Sequence, residues 1–249
     1  DNMKKFLVLV AAVCMAYTTA FAQTVKPFKE GDRAVFLGNS ITDGGRYHSF
    51  IWLYYMTRFP NMPIRVFNGG IGGDTAYDMN KRLDGDIFSK NPTVLMVTFG
   101  MNDSGYYEYN GDNAKEFGEQ KYQESIKNFQ QMEKRFKELP HTRIVMTGTS
   151  PYDETAQIKD NTVFKKKNET IKRIIEYQRE SAARNGWEFT DWNAPMVAIN
   201  QELQQKDPSF TLCGNDRIHP DNDGHMVMAY LFLKAQGFAG KEDRKSTRL

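Results

Sequence analysis

Residues 33–45 read RAVFLGNSITDGG, an apolar run followed by a short polar turn with one serine and three glycines. The apolar part, residues 33–37, is continuous rather than alternating, which is typical of a parallel strand covered on both faces. Segments with apolar residues at helical spacing separate it from further apolar runs. These runs lie at residues 64–67, 93–99, 143–147 and 187–191. The alternation predicts an α/β fold with a doubly wound, three-layer parallel sheet.

Apolar stripes at positions i, i+3, i+4 and i+7 indicate the helices between these strands. The stripe that begins at Tyr47 stops before Pro60, and the stripe that begins at Ile171 ends at Gly186. Two other stripes include Phe129 and Phe232. Proline and glycine are common at helix ends, so we interpret all four stripes as helix faces that pack on the sheet.

Three polar segments follow the first three predicted strands. They are GNSITDGG with Ser40, NGGIGGDT with Gly73 and FGMND with Asn102. Ligands bind to parallel α/β sheets at the carboxyl ends of the strands. We therefore expect these three segments to meet at one edge of the sheet.

A fourth segment, DRIHP, contains Asp216 and His219 at a spacing of three residues. In a tight turn, this spacing brings the carboxylate within reach of one imidazole nitrogen and leaves the other nitrogen for a serine. A serine hydroxyl becomes a strong nucleophile only when an oriented base takes its proton. The pattern predicts Ser40 as nucleophile, His219 as base and Asp216 as its orienting partner.

An acyl-transfer site also needs donors for the negatively charged oxygen of the tetrahedral intermediate. The glycine-rich turn around Gly73 allows close approach of the backbone, so its N–H is a candidate donor. The Ser40 N–H at a helix N-terminus and the Asn102 side-chain amide are the other candidates.

The four segments, in this order over roughly residues 33–236, resemble the sequence blocks of the SGNH (GDSL-type) hydrolase family. The resemblance implies a flavodoxin-like sheet of strand order 2-1-3-4-5. It also implies a triad of Ser40, His219 and Asp216, an oxyanion hole of Ser40, Gly73 and Asn102, and no cofactor or metal. In one departure, Asn39 stands where the family's GDS has aspartate, and we expect this to affect only the fine tuning of the loop.

The segment after Asn102 suggests the substrate. Asp103 and the tyrosines Tyr106 and Tyr107 follow it directly, and aromatic rings can stack on sugar faces. We expect an acylated, most simply acetylated, oligo- or polysaccharide.

Three alternatives stay open at this point. The first is a hydrolase of lipid or short-chain esters or thioesters with the same fold, and the second is a carbohydrate-binding module without chemistry. The third is a metal-dependent hydrolase whose ligands would be Asp216, His219, Asp223 and His225.

The first 22 residues have the order of a secretory signal peptide. Lys4 and Lys5 precede an apolar run at residues 6–16, and the small-residue site AFA ends at Ala22, before Gln23. The run is too short to cross a membrane, which takes about 20 residues. The pattern predicts cleavage near Ala22 and a secreted or periplasmic protein without stable membrane insertion. The catalytic domain would span residues 23–239, followed by a polar, disordered tail at residues 240–249.

Charge and cysteine content bear on nucleic-acid binding and on disulfide bonds. The net charge is +2, and the basic block at residues 165–167 falls in a predicted helix, where we interpret it as a solvated surface. Nucleic-acid binding is therefore not expected. Of the two cysteines, Cys14 lies in the predicted leader, so Cys213 would have no intrachain disulfide partner. The sequence does not indicate an oligomeric state.

Overall fold

The computed structural model describes residues 24–159 and 162–238, which form a twisted parallel sheet covered by helices. The strands lie in the order β2-β1-β3-β4-β5, and every neighbouring pair is parallel. This confirms the predicted flavodoxin-like α/β architecture and its strand order. The strands are β1 (Arg33–Gly38), β2 (Arg65–Gly70), β3 (Val94–Val97), β4 (Arg143–Gly148) and β5 (Glu188–Asp191).

Helices connect the strands as the apolar stripes predict. A turn of π-helix (Leu83–Ile87) and a 3-10 turn (Phe88–Lys90) follow α3, and a second 3-10 turn (Tyr107–Asn110) precedes α4. Within the described residues, no helix is both long and apolar enough to span a membrane. The α-helices are α1 (Ser40–Asp43), α2 (Arg46–Arg58), α3 (Ala76–Lys81), α4 (Ala114–Lys137), α5 (Lys167–Asn185), α6 (Asn193–Gln204) and α7 (Asn222–Ala235).

The hydrophobic core is divided into two clusters by the sheet. Along β1, Ala34 and Phe36 pack into one cluster, while Val35 and Leu37 pack into the other. Successive side chains of a strand point to opposite faces, so a strand buried on both sides needs an unbroken apolar run. This explains the continuous pattern in the sequence. The first cluster includes residues of α2, α6 and α7, and the second includes residues of α3 and α4.

The short helix α1 packs directly over the carboxyl ends of β1 and β2. At Gly70, a Cβ atom would lie 2.2 Å from the backbone nitrogen of Asp43. Only glycine permits this approach, so the glycines after the apolar runs allow α1 to lie against the sheet. This packing places Ser40, the first residue of α1, at the carboxyl edge of the strands.

The prediction that residues 165–167 form a solvated basic surface is wrong for one of the three lysines. Lys165 and Lys166 are exposed, but Lys167 at the start of α5 is fully buried. Its side chain reaches the loop after β3, where backbone and hydroxyl oxygens accept its hydrogen bonds. A run of like charges is usually solvated, and local sequence does not reveal acceptors that come from a distant loop.

The predicted signal peptide at residues 1–22 and the predicted tail at residues 240–249 lie outside the described residues. Both therefore stay predictions, as do the domain limits derived from them.

Candidate active site

Ser40 lies at the N-terminus of α1, immediately after the N-cap residue Asn39. The buried Asn39 side chain accepts a hydrogen bond from the Ile41 N–H through its Oδ1 atom, at 3.1 Å. Asparagine is a good N-cap because its carbonyl oxygen satisfies an otherwise unpaired helix donor. In this place, Asn39 supplies the acceptor that orders the turn carrying Ser40.

Ser40, His219 and Asp216 form one continuous chain of hydrogen bonds. Ser40 Oγ lies 2.8 Å from His219 Nε2, and His219 Nδ1 lies 2.5 Å from Asp216 Oδ2. Ser40 and His219 are 179 residues apart in the sequence. With Nδ1 donating to the carboxylate, Nε2 is the nitrogen that can accept the serine proton. The three residues thus have the arrangement that nucleophilic catalysis requires.

The Asp216 carboxylate is held in place by its own loop. Its Oδ1 atom accepts hydrogen bonds from the backbone N–H groups of Ile218 and His219, both at 2.9 Å. Partial burial acts to raise the pKa of Asp216, but the hydrogen bonds from the His219 ring and these two amides outweigh it and lower the pKa. The carboxylate therefore stays charged at neutral pH and faces the imidazole.

The hydrogen bond to Asp216 raises the pKa of His219 above its usual 6.5, although partial burial acts in the opposite direction. Burial lowers the pKa of His48 and lowers that of His225 to about 4. An imidazole acts as a base only in its neutral form, so the predicted role of His219 implies that kcat/KM for ester hydrolysis falls with decreasing pH. The midpoint should lie above pH 6.5, measured as a pH–rate profile in buffers of constant ionic strength.

A matched control for this profile is His141→Gln, which removes an exposed histidine outside the site. It should leave the midpoint unchanged. A midpoint below pH 6.5, or a flat profile down to pH 5, would contradict His219 as the base.

Arg217 anchors the loop between Asp216 and His219. It is buried, and its Nη1 atom donates to the carbonyl oxygens of Asp153 and Ala156, at 3.1 and 2.8 Å. Its φ of 67° is in the left-handed region, which costs a residue with a Cβ of order 1–3 kcal/mol and persists only when surrounding contacts enforce it. The buried Arg217 side chain thus anchors the turn in which the half-exposed Asp216 and His219 side chains contact each other.

The backbone N–H groups of Ser40 and Gly73 have no acceptor in the described part of the chain. Gly73 has a φ of 84°, which is favourable only for glycine. Its neighbour Gly72 lies against Ser40, since a Cβ atom on Gly72 would be 4.0 Å from Ser40 Cβ. Free donors beside a nucleophile are what an oxyanion hole consists of.

The Asn102 side chain is fixed at both ends of its amide. Its Nδ2 atom donates to the carbonyl oxygen of Asp74 at 2.9 Å, and its Oδ1 atom accepts from the Tyr106 hydroxyl at 2.5 Å. These partners define which end is nitrogen, and one N–H of Nδ2 stays available. Asp74 directly follows Gly73, so this contact joins the second and third polar segments.

Arg82 joins the first and second polar segments, and sequence reasoning missed it. Its Nη2 atom donates to the carbonyl oxygens of Gly38 and Gly69, and its Nε atom donates to Asp74 Oδ2 at 2.6 Å. One guanidinium therefore ties the ends of β1 and β2 to the turn that contains Gly73. A single arginine near the end of a helix gives no sequence signal for such a role.

Asp103, predicted to contact substrate, is inside the protein. Its Oδ1 atom accepts from the Ala76 N–H at 2.9 Å and the Ser125 hydroxyl at 3.2 Å, and its Oδ2 atom accepts from the Gly100 N–H at 2.9 Å. Both oxygens are thus engaged in buried hydrogen bonds. This corrects the prediction: Asp103 fastens the loop after β3 to α3 and α4.

The two predicted substrate tyrosines have different surroundings. Tyr106 is partly buried, and its hydroxyl is used by Asn102. Tyr107 is 79% exposed and packs edge-to-face against Phe164, with ring centroids 5.4 Å apart. Only Tyr107 presents most of its ring to solvent.

The residues of the metal alternative do not gather into a ligand set. His225 is buried and stacks on the Tyr47 ring, with centroids 6.0 Å apart, whereas Asp216 is bonded to His219. Within residues 24–159 and 162–238, no group of three or more histidine, cysteine or acidic side chains is arranged to hold a metal ion.

The model of the GDSL-like Lipase/Acylhydrolase family matches residues 36–227. An acetylxylan esterase of Geobacillus stearothermophilus is 25% identical over 224 residues, which cover 84% of this chain and 95% of that protein.

Solved structures share the fold. A catalytic mutant of Axe2, the acetylxylan esterase from Geobacillus stearothermophilus, aligns with a TM-score of 0.68 and 22% identity over 85% of this chain and 96% of that one. LAE5, an alpha/beta hydrolase enzyme from the metagenome of Lake Arreo, aligns with a TM-score of 0.63 and 22% identity. That alignment covers 86% of this chain and 99% of the other.

Proposed function

Because this chain belongs to the GDSL-like lipase/acylhydrolase family and is an ester hydrolase, we propose that it is a serine esterase that removes O-acetyl groups from carbohydrates. One observation carries the proposal. Ser40 Oγ lies 2.8 Å from His219 Nε2, while the other ring nitrogen is bonded to Asp216. This is the geometry in which an imidazole can take the proton of a serine hydroxyl.

The first step forms an acyl-enzyme. Ser40 Oγ bonds to the ester carbonyl carbon while its proton passes to His219 Nε2. The resulting tetrahedral intermediate collapses, the bond from carbon to the alkoxy oxygen breaks, and His219 returns the proton to the leaving sugar hydroxyl. Asp216 stabilises the imidazolium that exists between these two transfers.

The second step releases the acid. A water molecule gives a proton to His219 Nε2 as its oxygen bonds to the acyl carbon. The bond between that carbon and Ser40 Oγ then breaks, and the proton returns to Ser40. Acetate leaves, and the free enzyme is restored without any cofactor being consumed.

In both steps the carbonyl oxygen gains negative charge. The N–H groups of Ser40 and Gly73, which have no acceptor among the described residues, and the remaining N–H of Asn102 would bind it. Loss of one such donor typically lowers turnover by about 10²–10³-fold.

The substrate is proposed from the relative and from the shape of the site. The curated relative is named acetylxylan esterase. The His219 and Asp216 side chains are 49% and 50% exposed, so a bulky polysaccharide could present a small acyl group without entering a deep cleft. Tyr107 offers an open aromatic face for a sugar ring. Acetylated xylan or its oligosaccharides is the substrate class that these features support.

An acyl-chain series tests this proposal. We expect kcat/KM for p-nitrophenyl acetate to exceed that for p-nitrophenyl octanoate by about tenfold or more, because the half-exposed site at His219 and Asp216 leaves a long acyl chain largely in water. Purified enzyme should also release acetate from acetylated xylooligosaccharides, measured by an enzyme-coupled acetate assay. Ser40→Ala is the matched blank. A preference for octanoate, with no acetate release from the glycan, would replace this proposal with a lipid esterase.

We also propose that the protein is exported, on the basis of residues 1–22 alone. Expression of the full chain followed by cell fractionation and N-terminal sequencing should give a mature protein that starts near Gln23. An uncleaved protein in the cytoplasm would refute export without affecting the chemistry.

A further inference from the structure

Lys167 is a buried ammonium group that the mechanism above does not use. Its Nζ atom lies 2.6 Å from Met101 O, 2.6 Å from Ser104 Oγ and 2.5 Å from Gly105 O. All three acceptors belong to the loop after β3, which also carries Asn102. One ammonium group thus binds backbone carbonyl oxygens on both sides of Asn102 and, in addition, the Ser104 hydroxyl.

The same ammonium group faces the residue that orients Asn102. Lys167 Nζ lies 3.9 Å from the centroid of the Tyr106 ring, within the range of a cation–π interaction. The Tyr106 hydroxyl donates to Asn102 Oδ1 at 2.5 Å. Burial raises the pKa of Tyr106, so this hydroxyl keeps its proton and stays a donor.

We propose that Lys167 is a positioning residue for the oxyanion hole, acting through the Tyr106 ring and the backbone of the 101–105 loop to hold the Asn102 amide. The proposal rests on the proposed function, because it gives Asn102 the role of an oxyanion donor. With Oδ1 held by Tyr106 and one N–H held by the Asp74 carbonyl, the rotation of the amide is fixed. The remaining N–H is therefore preorganised before substrate arrives.

A lysine here is costly for the fold, which supports a specific role. Burial lowers the pKa of Lys167 to about 7, opposed by the negative charges of Asp103 and Glu154. An apolar side chain of similar length would avoid this desolvation. It would leave the Gly105 carbonyl oxygen without its donor and the Met101 carbonyl oxygen with only the Ser104 hydroxyl. The loop would then lose contacts that hold Asn102.

Kinetics of two variants test the proposal. Tyr106→Phe removes only the hydroxyl that Asn102 uses, and Lys167→Met removes the ammonium group while keeping the length of the side chain. For p-nitrophenyl acetate, we expect each variant to lower kcat about tenfold or more with KM changed less than about threefold, because preorganised donors act mainly on the transition state.

The decisive comparison repeats both substitutions in an Asn102→Ala background. If Tyr106 and Lys167 act through Asn102, each substitution should change kcat less than about twofold in this background, since the effects of substitutions in residues that act as a unit are not additive. The matched controls are Lys165→Met, which removes an exposed charge from the same basic run, and Tyr230→Phe, which removes an exposed hydroxyl. Both should stay within about twofold of the wild type. A decrease of kcat by either substitution that is as large in the Asn102→Ala background as in the wild type would overturn the proposal.

A second measurement needs no turnover. In 15N-labelled protein, the Asn102 side-chain amide can be assigned as the resonance pair missing from Asn102→Ala. We expect this pair to shift or broaden in Tyr106→Phe and in Lys167→Met, and to be unchanged in Lys165→Met. An unchanged pair in Tyr106→Phe would overturn the proposal, even if Lys167→Met does not fold. A wild type without any esterase activity would refute the proposed function, while this spectrum would still decide whether Lys167 and Tyr106 hold Asn102.

Discussion

Ser40→Ala is expected to lower kcat for p-nitrophenyl acetate by about 10⁴-fold or more. The substitution removes the oxygen that would form the proposed acyl-enzyme, and no other hydroxyl is hydrogen-bonded to His219 in the described residues. Stability should change little, because the Ser40 side chain is only partly buried and its bonding partner is the half-exposed His219. Initial rates and a thermal melt of both proteins would check the two expectations together.

The same pair of proteins separates the open alternatives. A fluorophosphonate probe should label the wild type at Ser40 and leave Ser40→Ala unlabelled. Glycan binding without labelling of the wild type would indicate a binding module, and loss of activity with a chelator would indicate a metal-dependent hydrolase. Activity of Ser40→Ala within tenfold of the wild type would contradict Ser40 as nucleophile.

Asp216→Asn is expected to lower kcat by about 10³–10⁴-fold. The amide nitrogen of asparagine can donate to His219 Nδ1, which favours the tautomer whose proton is on Nε2. That tautomer cannot accept the proton of Ser40. The backbone amides of Ile218 and His219 can still bond to the remaining carbonyl oxygen, so the loop should keep its shape. Steady-state kinetics with p-nitrophenyl acetate would measure the effect.

The control for this substitution is Asp112→Asn, which makes the same chemical change at an exposed position. It should retain wild-type kinetics. A crystal structure of Asp216→Asn with the Ser40–His219 distance preserved would attribute the loss to the tautomer rather than to loop displacement. A kcat reduced less than tenfold would show that the carboxylate does not orient His219 during the reaction.

The positions of the strands were predictable because a parallel sheet buried on both faces needs unbroken apolar runs, whereas the strand order followed from the resemblance to the SGNH family. The exact ends of the strands were harder to predict from the sequence. The third run was predicted at residues 93–99, but β3 is Val94–Val97. Phe99 is buried in the core without pairing in the sheet, because apolar residues indicate burial and not strand pairing. The chain turns at Gly100, with a φ of 128°, toward Asn102.

Several contacts around the site had no local signal in the sequence. Arg82 binds carbonyl oxygens of two strands, and Lys167 binds a loop more than sixty residues earlier in the chain. A sequence pattern describes neighbours along the chain, whereas these acceptors come from distant segments. Charged residues are usually at the surface, so the sequence predicted an exposed side chain for Lys167. For the same reason it predicted that Asp103 contacts substrate at the surface, which its burial contradicts.

The sequence by itself determined that strands and helices alternate. It also determined the order of the four polar segments along the chain, three of which follow the first three strands. The carboxyl ends of parallel strands share one edge, so three of these segments had to meet there. Only the tertiary structure decided the 2.8 Å contact of Ser40 with His219, the orientation of the Asn102 amide and the burial of Lys167. Each of these depends on the direction of a side chain, which is set by packing between elements far apart in the chain.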